Sequence, residues 1–171
     1  MQALHKLECV YQTAFLVDDV EEAARYWSGR GAGPFFAFND FEFTEMLHPQ
    51  QVSSPKLSIL LGYSGDVMIE LMQVIEDPTG LFSPPSLPVP HHVALLVDDI
   101  GDYLERRSAG DSLVMHALFP TGTPVAMLDT RAETGLLTEL VTCDESVLGM
   151  IAHMRAEAES FTGEDLIRSF A

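Results

Sequence analysis

The chain writes one pattern twice. "VYQTAFLVDDVEEAARYWS" begins at Val10 and "PHHVALLVDDIGDYLERRS" at Pro90, and laid over one another they set Gln12 against His92, 80 residues apart. An internal repeat constrains a fold more than local propensity does, because each copy has to bury its apolar face against something, and its twin is the nearest candidate. In each copy a mostly apolar run leads through Val-Asp-Asp into a helix.

The first copy predicts a strand from Tyr11 to Val17 and a helix over "VEEAARYWS", capped by Asp19 with Glu22 three residues on. The helix stops in "SGRGAGP", where the glycines serve as a stop and not as a phosphate loop, since they follow a helix instead of preceding one. "FFAFNDFEFTEMLH" then reads as one long strand, and "KLSILLGY" with "DVMIELMQV" as a hairpin. In the second copy a strand from His91 to Val97 precedes a helix capped by Asp99, with Asp102 at the third position, and Gly110 ends it. "SLVMHALF", "TPVAMLDT" and "GLLTELVTC" supply three further strands. The expected fold is α+β: two tandem β-α-β-β-β modules, about 8–75 and 91–143, forming a cupped eight-stranded sheet around a central pocket. The whole of 1–171 is read as one domain. The Pro-rich stretch 76–90 is expected to be a stiff, extended connector, and 144–171 a C-terminal helical extension in which Thr162 caps a last turn.

The formal charge is −17, from 9 basic and 26 acidic residues, which argues against nucleic acid and against an anionic membrane surface. Cys9 and Cys143 are far apart and read as free, buried thiols of a reducing cytosol. Charges fall too early in "MQALHKLECV" for a signal peptide, and no apolar run reaches the ~20 residues of a membrane helix. A cytoplasmic protein is expected.

Side chains alternate along a strand. Gln12, Ala14 and Leu16 therefore share one face; Tyr11, Thr13, Phe15 and Val17 share the other, most of which suits the covering helix, though Tyr11 could reach the pocket rim. His92, Ala94 and Leu96 share a face in the second copy. Met68, Glu70 and Met72 do so in the last strand of the first copy, and Leu137, Glu139 and Val141 in that of the second. A mid-strand carboxylate among such neighbours is costly if buried alone. It either points into water from a half-exposed sheet or has partners. Two of them at matching places, with Gln12 and His92 matching in the same copies, can converge near the pseudo-twofold axis as donors to a divalent ion.

In "HHVALLVDDIGDYLE", "YQTAFLVDDVEEAARYW", "GAGPFF", "DVMIELMQV" and "AMLDTRAETGLLTELV" the sequence resembles the vicinal oxygen chelate superfamily, which includes glyoxalase I and methylmalonyl-CoA epimerase. The resemblance covers about residues 8–145. It implies metal ligands from the first and last strands of each module: Gln12, Glu70, His92 and Glu139. His92 is preferred over His91 because it stands seven residues before its capping Asp, as Gln12 does. The implied ion is Zn, Ni, Co, Mn or Fe, and a homodimer is expected.

A set of two carboxylates, an amide and an imidazole suits redox-neutral chemistry. The expected activity is that of a lyase or isomerase, glyoxalase- or epimerase-like, which removes a proton beside a carbonyl polarised by the ion, with Glu139 or Glu70 as base. His116 is either a further pocket acid or base, or a satisfied core histidine. His91 is expected to face the helix layer or the sheet edge, and His5, His48 and His153 the surface. The first module is longer by 11 residues between its donors than the second, around the Phe-rich segment. Phe36, Phe38, Met68, Met72 and Leu96 are expected to wall a greasy pocket for a small, rather apolar substrate. A glutathione adduct would want Arg or Lys contacts that nine basic residues scarcely offer. Two alternatives remain: a binding protein that sequesters an apolar compound, and an iron-dependent extradiol dioxygenase. Gln12 disfavours the second by standing where that site uses His.

Overall fold

A computed structural model describes residues 7–108 and 112–170. The first copy runs β1 (Val10–Leu16), α1 (Val20–Ser28), β2 (Phe35–Glu42), β3 (Thr44–Leu47), β4 (Lys56–Ser64) and β5 (Val67–Glu76). The second runs β6 (Val89–Val97), α2 (Ile100–Arg107), β7 (Leu113–Leu118), β8 (Pro124–Leu128), α3 (Arg131–Thr134) and β9 (Leu137–Thr142). α4 (Glu145–Glu159) and β10 (Ile167–Ser169) follow. Asp19 caps α1 by accepting from the Glu22 N–H at 2.9 Å, and Asp99 caps α2 by accepting from the Asp102 N–H at 2.9 Å. α2 ends at Ser108, in the left-handed region. The expected stop at Gly110 lies outside the described residues, as does His5.

All the strands join one sheet, in the order β10-β2-β4-β5-β1-β6-β9-β8-β7-β3. The two copies meet where β1 pairs antiparallel with β6, and on either side β5 and β9 run parallel to these central strands. Alternation then sorts the side chains. Ile69 and Leu71 face outward under α1 with Val20 and Ala24, and Leu140 and Ala126 lie under α2 with Ile100. The inner face carries Ala14, Met68, Met72, Ala94, Met127 and Val141, and α4 closes onto it through Val147, Ile151 and Met154. Burying one face under helices and the other inside the cup lets strands of nearly continuous apolar sequence avoid water on both sides.

Among the described residues the sheet has ten strands, not eight, for two physical reasons. "FFAFNDFEFTEMLH" breaks at Phe43, so that β2 pairs with β4 of its own copy while β3 pairs with β7 of the other. The tail "TGEDLIRSF", expected as a helical turn, instead lays β10 alongside β2. Because β2, one strand in from the β10 end of the order, and β3, at the other end, are separated by one residue, the sheet has to curl until its ends approach. Phe43 at that junction is buried, and its N–H donates to Ser54 Oγ at 2.8 Å.

The connector is folded, not extended. Asp77 gathers it: one carboxylate oxygen accepts from the N–H groups of Thr79 and Gly80 and from the Thr79 hydroxyl, the other from Phe82 N–H and Ser83 Oγ. The loop thereby tucks Phe82 into the core beside His91.

Candidate functional site

β1 and β6 lie antiparallel at the middle of the sheet, so equivalent residues of the copies face each other across a local twofold. Gln12 is opposite Ala94, and Ala14 is opposite His92. On the outer flanks Ala14 is level with Glu70 of β5, and Ala94 with Glu139 of β9. Each alanine thus stands between a donor of the other copy and a glutamate of its own, and its short side chain leaves room above it for the longer ones to meet.

They do meet. Gln12 Nε2 donates to Glu70 Oε2 at 2.6 Å, and His92 Nε2 lies 3.1 Å from the same oxygen and 3.6 Å from Glu139 Oε2. All four side chains are buried and line an inner cavity of about 150 Å³. Among the described residues His92 Nε2 is nonetheless an orphan: neither nearby carboxylate meets it in hydrogen-bonding geometry.

A second polar layer explains how His92 is set. His91 Nε2 is 2.9 Å from the Leu81 carbonyl, and His91 Nδ1 is 2.9 Å from His92 Nδ1. A carbonyl only accepts, so His91 Nε2 carries a proton and, with His91 neutral, its Nδ1 accepts one from His92 Nδ1. Burial, with His92 next to it, lowers the His91 pKa to about 3, which keeps it neutral. His92 Nε2 is then left aimed at two carboxylates, a place that calls for positive charge, either a proton or a cation. Burial resists charge on His92, but Glu139 and Glu70 outweigh it and raise its pKa. Glu139 moves up to about 7, chiefly through burial, with His92 opposing and Glu70 adding to the rise.

The donor set fits a divalent ion in type, and the two distances at His92 are near what a shared ion would need. Two donors sharing an ion at about 2.1 Å stand ~3.0–3.4 Å apart, close to the separations found around His92. A ligating histidine usually donates its other ring N–H to a fixed acceptor, and His91, anchored on the Leu81 carbonyl, is such an acceptor for His92. Among the described residues no three His, Cys, Asp or Glu groups form a ready-made cage. The Gln12 amide would have to turn over to offer its oxygen, opening the 2.6 Å contact with Glu70.

Of the expected pocket wall, Phe38 and Met72 line the cavity. Phe36, Met68 and Leu96 do not: they are packed in the core, beyond its reach. His116 also stands apart, on β7 opposite Leu47, in a separate surface hollow with His48. It faces the β3 edge and not the cup interior.

Two site residues escape the alternation rule. Bulges in the β1–β6 ladder leave Tyr11 and His91 as extra residues, and each turns inward immediately before a donor. They occupy equivalent positions of the repeat. Tyr11 lines the cavity, and burial together with Glu139 and Glu70 pushes its hydroxyl pKa well up, so it stays protonated. The adjacent histidines of "HHV" are the one signal in the sequence that pointed this way. Phe82 of the connector, Phe41, Phe43 and Phe119 complete the wall, and Ser146, Val147 and Met150 of α4 roof it.

Two duplicated β-α-β-β-β modules joined edge to edge around an inner pocket define the fold of the vicinal oxygen chelate type. No family model and no curated protein matches the sequence. Among solved structures, the chain is similar to methylmalonyl-CoA epimerase from Mycobacterium tuberculosis, with a TM-score of 0.56 at 18% identity over 87% of this chain and 97% of that one. A hypothetical protein from Bacillus halodurans gives a TM-score of 0.54 at 21% identity, over 80% and 95% of the two chains. A selenomethionine methylmalonyl-CoA epimerase gives 0.54 at 18%, over 82% and 99%. At such identities the likeness is one of fold. No helix among the described residues is long and apolar enough to cross a membrane.

Proposed function

We propose that the protein is a metal-dependent lyase or isomerase, glyoxalase- or epimerase-like, that moves a proton beside a carbonyl of a small, apolar substrate. The observation that carries this reading is the convergence of Gln12, Glu70, His92 and Glu139 at the polar end of an otherwise greasy cavity. These four would hold the ion, with His91 and the Leu81 carbonyl fixing the orientation of His92. Bound there, a divalent ion supplies Lewis acidity that draws an electron pair onto the substrate's oxygen. Glu139 is the base. Loosened from the ion, its carboxylate accepts the proton as the neighbouring C–H bond breaks, and returns it to carbon afterwards. Tyr11, kept protonated, offers an O–H at the same end of the cavity, and the apolar wall excludes water that would quench the transfer.

Two measurements on protein purified without chelator test the proposal. Elemental analysis should find a divalent metal near one equivalent per chain, largely lost in His92→Ala and Glu139→Ala. In D2O, the loaded protein should wash deuterium into the C–H position beside the carbonyl of an α-hydroxy ketone, and Glu139→Gln should not. Metal content unchanged in both alanine variants would refute the ligand assignment. The apolar lining favours a second reading, sequestration without reaction; tight binding with no metal and no exchange would establish it instead.

A further inference from the structure

We infer that the pocket selects an uncharged compound whose apolar part is one six-membered aromatic ring, or a branched group of that size, bearing a carbonyl and an adjacent hydroxyl, and that acyl-CoA thioesters are not its substrates. This deepens the reading above and rests on it. Three observations lead here. The first is size: a cavity of about 150 Å³ lined by Leu, Ile and Phe is one that holds a benzene ring.

The second is the wall at the seam between the copies. Phe41 and Phe43, flanking the β2–β3 break, meet edge to face at 5.0 Å, and Phe119 from the second copy stacks on Phe43 at 6.1 Å. With Phe82 on another side, a flat guest finds ring edges and faces to pack against.

The third is charge. Among the described residues lining the cavity there is no Lys or Arg, and its exposed members Pro120, Thr121 and Ser146 form a neutral mouth. Elsewhere every described Lys and Arg except Arg30 is ion-paired, as Arg106 and Arg107 are with Glu8. Arg30 is itself spent on the Tyr26 carbonyl and ring. A coenzyme A tail carries several phosphate charges, and a chain of net charge −17, with no Lys or Arg among the described residues lining the cavity, repels it.

The test is calorimetric titration of the as-purified protein with 2-hydroxyacetophenone, hydroxyacetone and acetyl-CoA. The ring-bearing ketone should bind roughly tenfold or more tightly than hydroxyacetone, and acetyl-CoA should give no heat in the same range. Phe43→Ala should erase the ring preference while leaving metal content unchanged. Phe119→Ala, at a half-buried position on the second copy, should do the same while leaving Phe43 itself in place at the β2–β3 junction. Equal affinity for the two ketones, or saturable binding of acetyl-CoA, overturns the inference. If metal is held but the ring preference is missing, this inference alone fails; if the ring preference holds and the metal does not, the ligand assignment alone fails.

Discussion

Tyr11 and His91 each precede a donor, and each reaches the site only because its strand bulges there. That Gln12, Glu70, His92 and Glu139 face the same interior was legible from the sequence, because side-chain alternation is a local property and the repeat doubled its weight. The bulges were not, because they arise where β1 and β6 pair, and that register belongs to neither strand alone. The same locality explains Phe36, Met68 and Leu96: alternation puts a residue on the inner face but does not say how far along the strand the hollow extends. His91 offers a direct check. His91→Phe keeps a ring against Phe82 but removes both the hold on His92 Nδ1 and the bond to the Leu81 carbonyl. Its metal affinity, measured by competition with a chelator, should fall about 10–100-fold.

Among the elements, the connector departs most from its composition. Proline content suggested a stiff spacer, yet Asp77 winds it into a compact loop that delivers Phe82 to the cavity and the Leu81 carbonyl to His91. Single-sequence reading weighs prolines easily and misses one carboxylate that organises five donors. Partial burial would raise the Asp77 pKa, but the Thr79 and Ser83 hydroxyls and the Phe82 N–H hold it below its ordinary 3.8. A lowered carboxyl stabilises the fold above the unfolded-state pKa and loses that contribution as pH falls through the folded value. Asp77→Asn should therefore lower stability at pH 7 by roughly 1 kcal/mol. Its melting temperature should also fall less steeply than that of the wild type below about pH 4. Helix positions were far easier to read, since Asp19 and Asp99 cap α1 and α2 through bonds that span only three residues. The division of the Phe-rich segment into β2 and β3 was hidden because β3 finds its partner in the other copy.

At the scale of the whole molecule, both copies and α4 of one chain enclose the cavity. One chain supplies Gln12, Glu70, His92, Glu139 and the described lining of the cavity. A homodimer, expected from the sequence, would not be required for binding. Metal content and ligand affinity should thus stay constant on dilution through any dissociation followed by sedimentation. The duplicated order and the central β1–β6 pairing follow from the repeat, but the closing of the sheet does not, since it depends on one residue, Phe43, joining β2, one strand in from one end of the order, to β3 at the other.

That crossing strand also ties the halves together. The first half lends β3 to the outer edge of the second, while the second half's C-terminal extension returns β10 and the α4 roof to the first. Cut near Val89, neither piece would own a finished border. Made separately, the pieces should be poorly folded, and mixed, they should recover the native circular dichroism spectrum, as interlocked parts that have kept the mark of an ancestral doubling but lost the independence of the original unit.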